Sequence, residues 1–200
     1  MSAGPLAGLD RPRLGEALAR MDADGWLVYD FRRVNPVAGR VLGIGGLGTR
    51  RLFVFLPRQG DPVAVAHKIE LQPLEGFPGR VVPYARWQEL HEALRSVVAG
   101  RTVAMEISPD DAVPYLDRVP HGVVELVTRL GGRVVSSAPL VSEFAARWSA
   151  AEVADHLYAA EALAAIAREA LAGAVREAGT GLTETALQRR VTDAMRARGL

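Results

Sequence analysis

Cysteine is absent from the 200 residues, which excludes a disulfide scaffold, thiolate metal ligation and cysteine nucleophiles together. An excess of one charge is lacking as well. Against 24 Lys and Arg stand 23 Asp and Glu, for a net charge of +1. The basic residues, nearly all arginine, are spread along the chain rather than gathered into the footprint of a nucleic-acid binder. Long apolar runs are missing too. The opening MSAGPLAGLDRPRLGEAL has no continuous apolar core of a signal peptide, and nothing approaches the roughly 18 residues of a membrane span. The expected location is therefore the cytoplasm, with neither membrane nor nucleic acid among the partners. What is present, 49% hydrophobic and 24% charged residues, is an ordinary globular composition, long enough for one good core and part of another.

Over the first two thirds of the chain, helix and strand patterns alternate. Asp10 and Pro12 open a helix with an apolar stripe at Leu14, Leu18 and Met21 that stops near Asp24-Gly25. WLVYDF reads as a strand, and NPVAGRVL as a short helix capped by Asn35 with Pro36 first. LFVFL is an apolar run of the kind buried on both faces, and the turn at PRQGDP folds it back onto PVAVAH as an antiparallel neighbour. Helical spacing at Trp87, Leu90, Leu94 and Val97 ends at Gly100, and TVAMEI is a strand. Ser108-Pro109-Asp110-Asp111 has the composition of a helix start. GVVELVTRLGG is a further short helix, and RVVSS a strand. Beyond APLVSEF the alternation does not resume. A capping box at Ser149 and Glu152 opens one long alanine-rich helix to Glu177, with a seam at Val153, Leu157, Ala160, Ala164, Ala167 and Leu171. Thr183 caps another helix, whose inner face carries Leu187, Val191 and Met195.

Chemistry is sparse. GIGGLG, Gly43 to Gly48, fits the dinucleotide fingerprint by letter, but that mechanism needs a strand entering the glycines and a helix leaving them. Here a helix enters and a strand leaves, so a connector is expected. No two histidines among His67, His91, His121 and His156 have the spacing that sets two ligands on one helix face. His91 with Glu89 and Glu92 belongs to a solvated helix face, and the pair Glu152 and His156 falls short of the three ligands a metal needs. One polar cluster stands out. Asp30, Arg32, Arg33 and Asn35 follow a strand, and Arg50, Arg51, His67, Lys68 and Glu70 flank the next hairpin. These residues read either as ion pairs and caps at loop ends or as groups facing a ligand, since guanidinium groups hold carboxylates bidentately.

The run DGWLVYDFR, NPVAGRVLG, TRRLFVFLP, GDPVAVAHKIE, followed by SEFAARWSAAEVADHLYAAEALAAIAREAL and AGTGLTETALQRRVTDAMRARG, resembles the aminopeptidase P, prolidase and creatinase family over nearly the whole chain. Trp148 departs from the pattern, standing where many members carry a lysine, which points to a subgroup. The resemblance implies an α/β fold. A mixed sheet flanked by helices, the creatinase-type N-terminal domain, is expected over residues 1–140, and over 141–200 two helices opening an incomplete pita-bread catalytic domain. It also implies an Xaa-Pro-specific metallopeptidase acting on proline-containing peptides through a pair of divalent ions, manganese, cobalt or zinc. The family builds that centre from aspartates, a histidine and glutamates on strands beyond these two helices, so no catalytic residue and no metal ligand is assigned within 1–200. This segment would then serve homodimerisation and pocket completion, with Asp30, Arg32, Arg33, Asn35, Arg50 and His67 as candidate substrate-binding residues. A non-catalytic oligomerisation or ligand-binding protein and a creatinase-type amidinohydrolase fragment are the alternatives.

Overall fold

The structure, a computed structural model, describes residues 4–200. The first three residues of the stretch read above against a signal peptide lie outside it. The chain divides into two compact units, Met1–Arg147 and Trp148–Leu200. The division falls after Arg147 rather than near position 140, because the short helix Ala138–Leu140 and the single wide turn Val141–Ala145 pack with the first unit, where Leu140 is fully buried.

The first unit is a six-stranded mixed sheet covered on both faces. Its elements are α1 (Arg11–Arg20), β1 (Gly25–Phe31), α2 (Pro36–Leu42), β2 (Arg51–Pro57), β3 (Val63–His67), β4 (Arg80–Tyr84), α3 (Trp87–Val98), β5 (Thr102–Met105), α4 (His121–Arg129), β6 (Arg133–Ser136) and α5 (Ala138–Leu140). Strand order is β4-β3-β2-β1-β5-β6. β2 runs antiparallel to β1 and to β3, as the tight turn between β2 and β3 requires, while β3·β4, β1·β5 and β5·β6 are parallel. Trp26 and Val28 of β1 pack with α1, α2 and α5 on one face. Leu27 and Tyr29 face the other way, into a core shared with α3 and α4. Period-two alternation therefore gives this central strand two buried faces, which is why WLVYDF and LFVFL read as continuous apolar runs.

Local chemistry sets most of the boundaries. The Asp10 side chain accepts from Arg13 N at 3.1 Å to cap α1. Asn35 Oδ1 accepts from Val37 N at 3.0 Å to cap α2, and that helix ends at Gly43 in the left-handed region, φ 65°. Ser108-Pro109 does not start an α-helix. It forms only a single tight turn, with Asp110 and Asp111 left-handed at φ 57° and 53° and the Ser108 hydroxyl bonded to Val113 N at 2.8 Å. The stretch between Pro109 and Pro114 is too short to repay helix nucleation, and Pro114 can offer no N–H to extend it.

In the second unit, α6 (Ala150–Arg176) opens with the expected capping box, Glu152 N to Ser149 Oγ at 3.2 Å and Ser149 N to Glu152 Oε2 at 2.7 Å. Thr183 caps α7 (Glu184–Ala197), whose Leu187, Val191 and Met195 are half-buried. The face of α6 that α7 covers differs from the seam read in the sequence. Ala162, Ile166 and Gly173 are the buried positions, about 180° around the helix from Val153, Leu157 and Leu171 at roughly 100° per residue. Small residues let α7 approach closely, and Arg198 then reaches Ala162 O at 3.2 Å while Tyr158 Oη donates to Arg198 O at 2.8 Å. The Leu157 seam stays exposed, Leu157 at 59% and Leu171 at 67%. Among the described residues no helix is long and apolar enough to cross a membrane.

Gly25 opens β1 where a Cβ would lie 2.3 Å from the Phe55 ring and 2.8 Å from Leu56 O. Gly25→Ala is expected to destabilise the first unit by about 1–3 kcal/mol, the cost of overpacking a filled core; a urea midpoint equal to that of the parent chain would contradict this packing.

Candidate functional site

One end of the sheet carries a row of side chains on a single face. Phe31 pairs with Arg51, the β2·β3 register continues to set Arg51 opposite His67, and His67 pairs with Tyr84. Two residues deeper, on the same face, lie Tyr29 and Phe53, their rings 5.0 Å apart. Trp87, the first residue of α3, stands beside this row and is 60% exposed. The helical spacing had counted it in the buried stripe, yet its place at the N-terminus puts it beyond the core at the lip of a cavity. That cavity, about 330 Å³, is lined by Tyr29, Phe31, Arg50, Arg51, His67, Tyr84, Ala85 and Trp87.

Its floor is aromatic and its rim cationic. Tyr84 Oη donates to Arg51 O at 2.8 Å, and the Tyr84 and His67 rings meet edge to face at 5.1 Å. Burial raises both phenols, Tyr29 and Tyr84, against the lowering influence of the Arg51 charge, so they stay neutral donors. Glu70 clasps the start of β2, accepting from Thr49 N at 2.8 Å, from Thr49 Oγ1 at 2.5 Å and from Arg50 N at 3.2 Å. Burial acts to raise the Glu70 carboxyl, but those hydrogen bonds together outweigh it and hold it below the usual range. The first turn of α3 is likewise taken, by Glu89, which accepts from Ala85 N and Arg86 N and is lowered to about 2 by those two bonds and by its bond with the Arg86 side chain. The Arg51 guanidinium has no carboxylate partner among the described residues. An apolar pocket with buried neutral phenols on its floor and, among the described residues, an unpaired guanidinium at its rim suits a small carboxylate attached to an apolar body.

Five of the six candidate residues divide between two places. Arg50 and His67 line this cavity. Asp30, Arg33 and Asn35 line a separate hollow of about 200 Å³ with Gly39, Gly45 and Gly46, since Asp30 and Phe31 point to opposite faces of β1. Arg32 is exposed and lines neither. Much of the polar capacity on the β1–α2 turn is spent holding the turn. Asp30 accepts from Arg33 Nη1 at 2.9 Å, Arg33 N at 3.1 Å and Asn35 N at 3.1 Å, which steadies Arg32 and Arg33 in the left-handed region, φ 64° and 59°. Asn35 Nδ2 donates to Tyr29 O at 2.7 Å and to the buried Glu106 at 3.0 Å. Arg33 Nε is buried without a partner among the described residues. The glycines 43–48 lie between α2 and β2, so no helix N-terminus follows them to receive a pyrophosphate. His91 packs edge-on to Trp87 at 5.2 Å, and His156 meets Trp148 at 4.6 Å. Among the described residues no three His, Asp or Glu side chains are placed to share an ion; the metal pair implied by the resemblance has no ligand set on them.

Tyr29, Tyr84, Trp87 and Glu106 were not among the sequence candidates. Tyr29 and Arg51 share the strand phase of Phe31 and Phe53, a usable signal once the register is known. Glu106 was visible only as an acid ending an apolar strand.

No protein-family model and no curated protein sequence matches the chain. Solved structures do. The prolidase from Thermococcus sibiricus superposes with a TM-score of 0.61 at 19% identity, over 94% of this chain and 49% of that one. Dipeptidase PepE from Mycobacterium ulcerans superposes at 0.59 and 21% identity, over 94% and 48%. The creatinase/prolidase N-terminal domain of an X-Pro dipeptidase from Streptococcus pyogenes superposes at 0.52 and 17% identity, over 68% of this chain and 99% of that one. The first unit has the creatinase/prolidase N-terminal fold. The chain spans about half the length of the prolidase and dipeptidase structures it matches.

Two substitutions on the β1–α2 turn separate structural from solvated groups. Asn35→Ala removes a helix cap worth about 0.5–2 kcal/mol and a buried partner of Glu106, whose loss costs a further ~1–3 kcal/mol; Arg32→Ala is expected to stay within about 0.5 kcal/mol. Chemical denaturation of both variants checks this, and equal effects would contradict the hydrogen-bond assignments.

Proposed function

We propose that this chain does the work of the N-terminal half of an Xaa-Pro-specific metallopeptidase of the aminopeptidase P and prolidase kind, contributing substrate recognition and subunit contact rather than the reacting centre. The observation that carries the reading is the superposition of 94% of the chain on a prolidase and on a dipeptidase, joined to an aromatic cavity lined by Arg51, which has no carboxylate partner among the described residues. In this reading the cavity receives the carboxylate end of a proline-containing peptide. Arg51 and Arg50 take the carboxylate, Tyr29 donates a hydrogen bond, Tyr84 stays committed to Arg51 O and steadies that strand, and Phe31 and Trp87 exclude water from the pyrrolidine ring. The pair of divalent ions of the complete enzyme, when bound, would supply a hydroxide and polarise the scissile carbonyl. The residues of this chain bind and orient.

Recognition and turnover are tested on the 200-residue chain. A dipeptide ending in proline with a free carboxylate is expected to bind about tenfold or more tightly than its C-terminal amide, the worth of a charge-assisted hydrogen bond. Arg51→Met removes that preference. No hydrolysis is expected with added manganese, cobalt or zinc. Equal affinity for acid and amide in calorimetry defeats the recognition reading, and chelator-sensitive turnover defeats the division of labour.

The exposed α6 seam supports the subunit-contact part of the reading. Burying one leucine contributes about 1.5–3 kcal/mol, so a seam with Val153, Leu157 and Leu171 in water favours association. Sedimentation of the chain is expected to show a concentration-dependent dimer that Leu157→Glu with Leu171→Glu abolishes while helicity is kept. A parent chain that stays monomeric at every concentration removes this part.

A further inference from the structure

Glu106 follows the last residue of β5 and is fully buried. It faces neither cavity. Its carboxylate gathers the side chains of three other segments: Trp26 Nε1 of β1 donates to Oε1 at 2.5 Å, Ser137 Oγ to Oε1 at 3.2 Å, and Asn35 Nδ2 to Oε2 at 3.0 Å. A backbone hydrogen bond from Tyr29 adds to these. Charged groups on the surrounding elements are turned elsewhere. Asp30 and Arg33 pair with each other at 2.9 Å. Arg118, whose N–H donates to Glu106 O, sends its guanidinium to Tyr115 O. Arg13 and Arg20 of α1 hold Glu143, and Arg40 of α2 reaches Arg147 O. Asp24 and Arg133 lie at the far end of the strands, on Thr102. Glu106 is thus an acid in an apolar core with hydrogen-bond donors for company and, among the described residues, no cation paired with it.

We propose that Glu106 is a positioning residue that couples one proton to the β1–α2 turn: its ionised form holds Asn35 and Trp26 by charge-assisted hydrogen bonds, and protonation slackens that hold and with it the turn carrying Asp30, Arg32 and Arg33. The donor chemistry decides where the proton sits. The Trp26 indole can only donate, and the Asn35 amide cannot turn over without withdrawing Oδ1 from Val37 N. The Ser137 hydroxyl alone can reverse, so the acid proton rests on Oε1 and donates to Ser137 Oγ. Asn35 is left on a neutral acid, a bond of roughly half the strength. Because Asn35 N is also fixed by Asp30 and its Oδ1 caps α2, the slackening passes to the whole turn.

Burial pushes the Glu106 carboxyl up to about 7 against those hydrogen bonds, so the proton exchanges near neutrality. The sign for stability follows. The folded chain holds this proton more tightly than the unfolded one, so the contribution of Glu106 is fully present below the ordinary value of 4.5 and is lost as pH rises through about 7.

The test uses the ¹⁵N-labelled 200-residue chain, titrated from about pH 5 to about pH 9. The Trp26 indole N–H is identified by the signals that Trp87→Phe and Trp148→Phe each remove. The expected result is a common midpoint for that indole and for the backbone amides of Arg33, Asn35 and Val37. Glu106→Gln erases the shared transition, and Glu106→Asp restores it at a displaced midpoint. The proposal fails if the turn amides stay still while the indole moves, or if nothing in the set titrates over this range. It fails equally if Glu106→Gln leaves the transition in place. Should Glu106→Gln not fold, the parent chain and Glu106→Asp decide by the presence and displacement of the common midpoint. None of these readouts depends on peptidase activity.

Discussion

Shift β1 by one residue against β2 and every side chain on it changes face: Tyr29 and Phe31 would enter the α1–α2 side, and Asp30 would be driven into the core against α3. The pairing of Phe31 with Arg51, at the end of a register that runs back to Gly25 opposite Pro57, is therefore the constraint on which the molecule depends. It holds because both faces of β1 are apolar and differently shaped. Trp26 and Val28 fit one core, Leu27 and Tyr29 the other. Gly25 admits Phe55 at the start of the strand, which rules out the neighbouring registers sterically.

From that register the polar features follow. The strand ends its buried run at Asp30, and the chain must leave the sheet, turn through two left-handed arginines and enter α2. An unsatisfied group here would cost roughly 1–3 kcal/mol, so Asp30, Asn35 and Glu106 share the donors of the turn among themselves. The cluster that looks like one basic site along the sequence is in fact two. Half of it is the internal scaffold of a turn, and half, with Arg50 and Arg51, faces a cavity on the opposite side of the sheet.

The second unit shows a different division of labour. In α6 both faces are alanine-rich, so an apolar seam can be counted along either. The leucine side looks the stronger by hydropathy, yet α7 lies on the side with Ala162 and Gly173. A short connection forces an antiparallel hairpin, and close approach of two backbones favours small side chains over large ones. The larger residues Val153, Leu157 and Leu171 stay exposed on the opposite face.

Local chemistry alone determined most of the element order, though not the edge strand β4 (Arg80–Tyr84), together with the caps at Asp10, Asn35, Ser149 and Thr183, the antiparallel turn between β2 and β3, and the reversal of helix and strand around Gly43 to Gly48. Each of these depends on groups within a few residues of one another, so the sequence carries them directly. Composition settled the absence of thiol chemistry in the same way. Tertiary structure decided the rest. The exposed Ser108 turn, closed by Pro114, stayed too short to offset the cost of helix nucleation. Trp87 was lifted from the core by its position at a helix start. Arg51, Tyr84 and Tyr29 became neighbours only through pairings between strands distant in the chain. Glu106 acquired its partners from β1, the β1–α2 turn and the start of α5, none of them near it in sequence. Its burial, and with it its affinity for a proton, is a property of the assembled sheet, because the field at a buried carboxyl is set by what surrounds it in space and not by its neighbours along the chain.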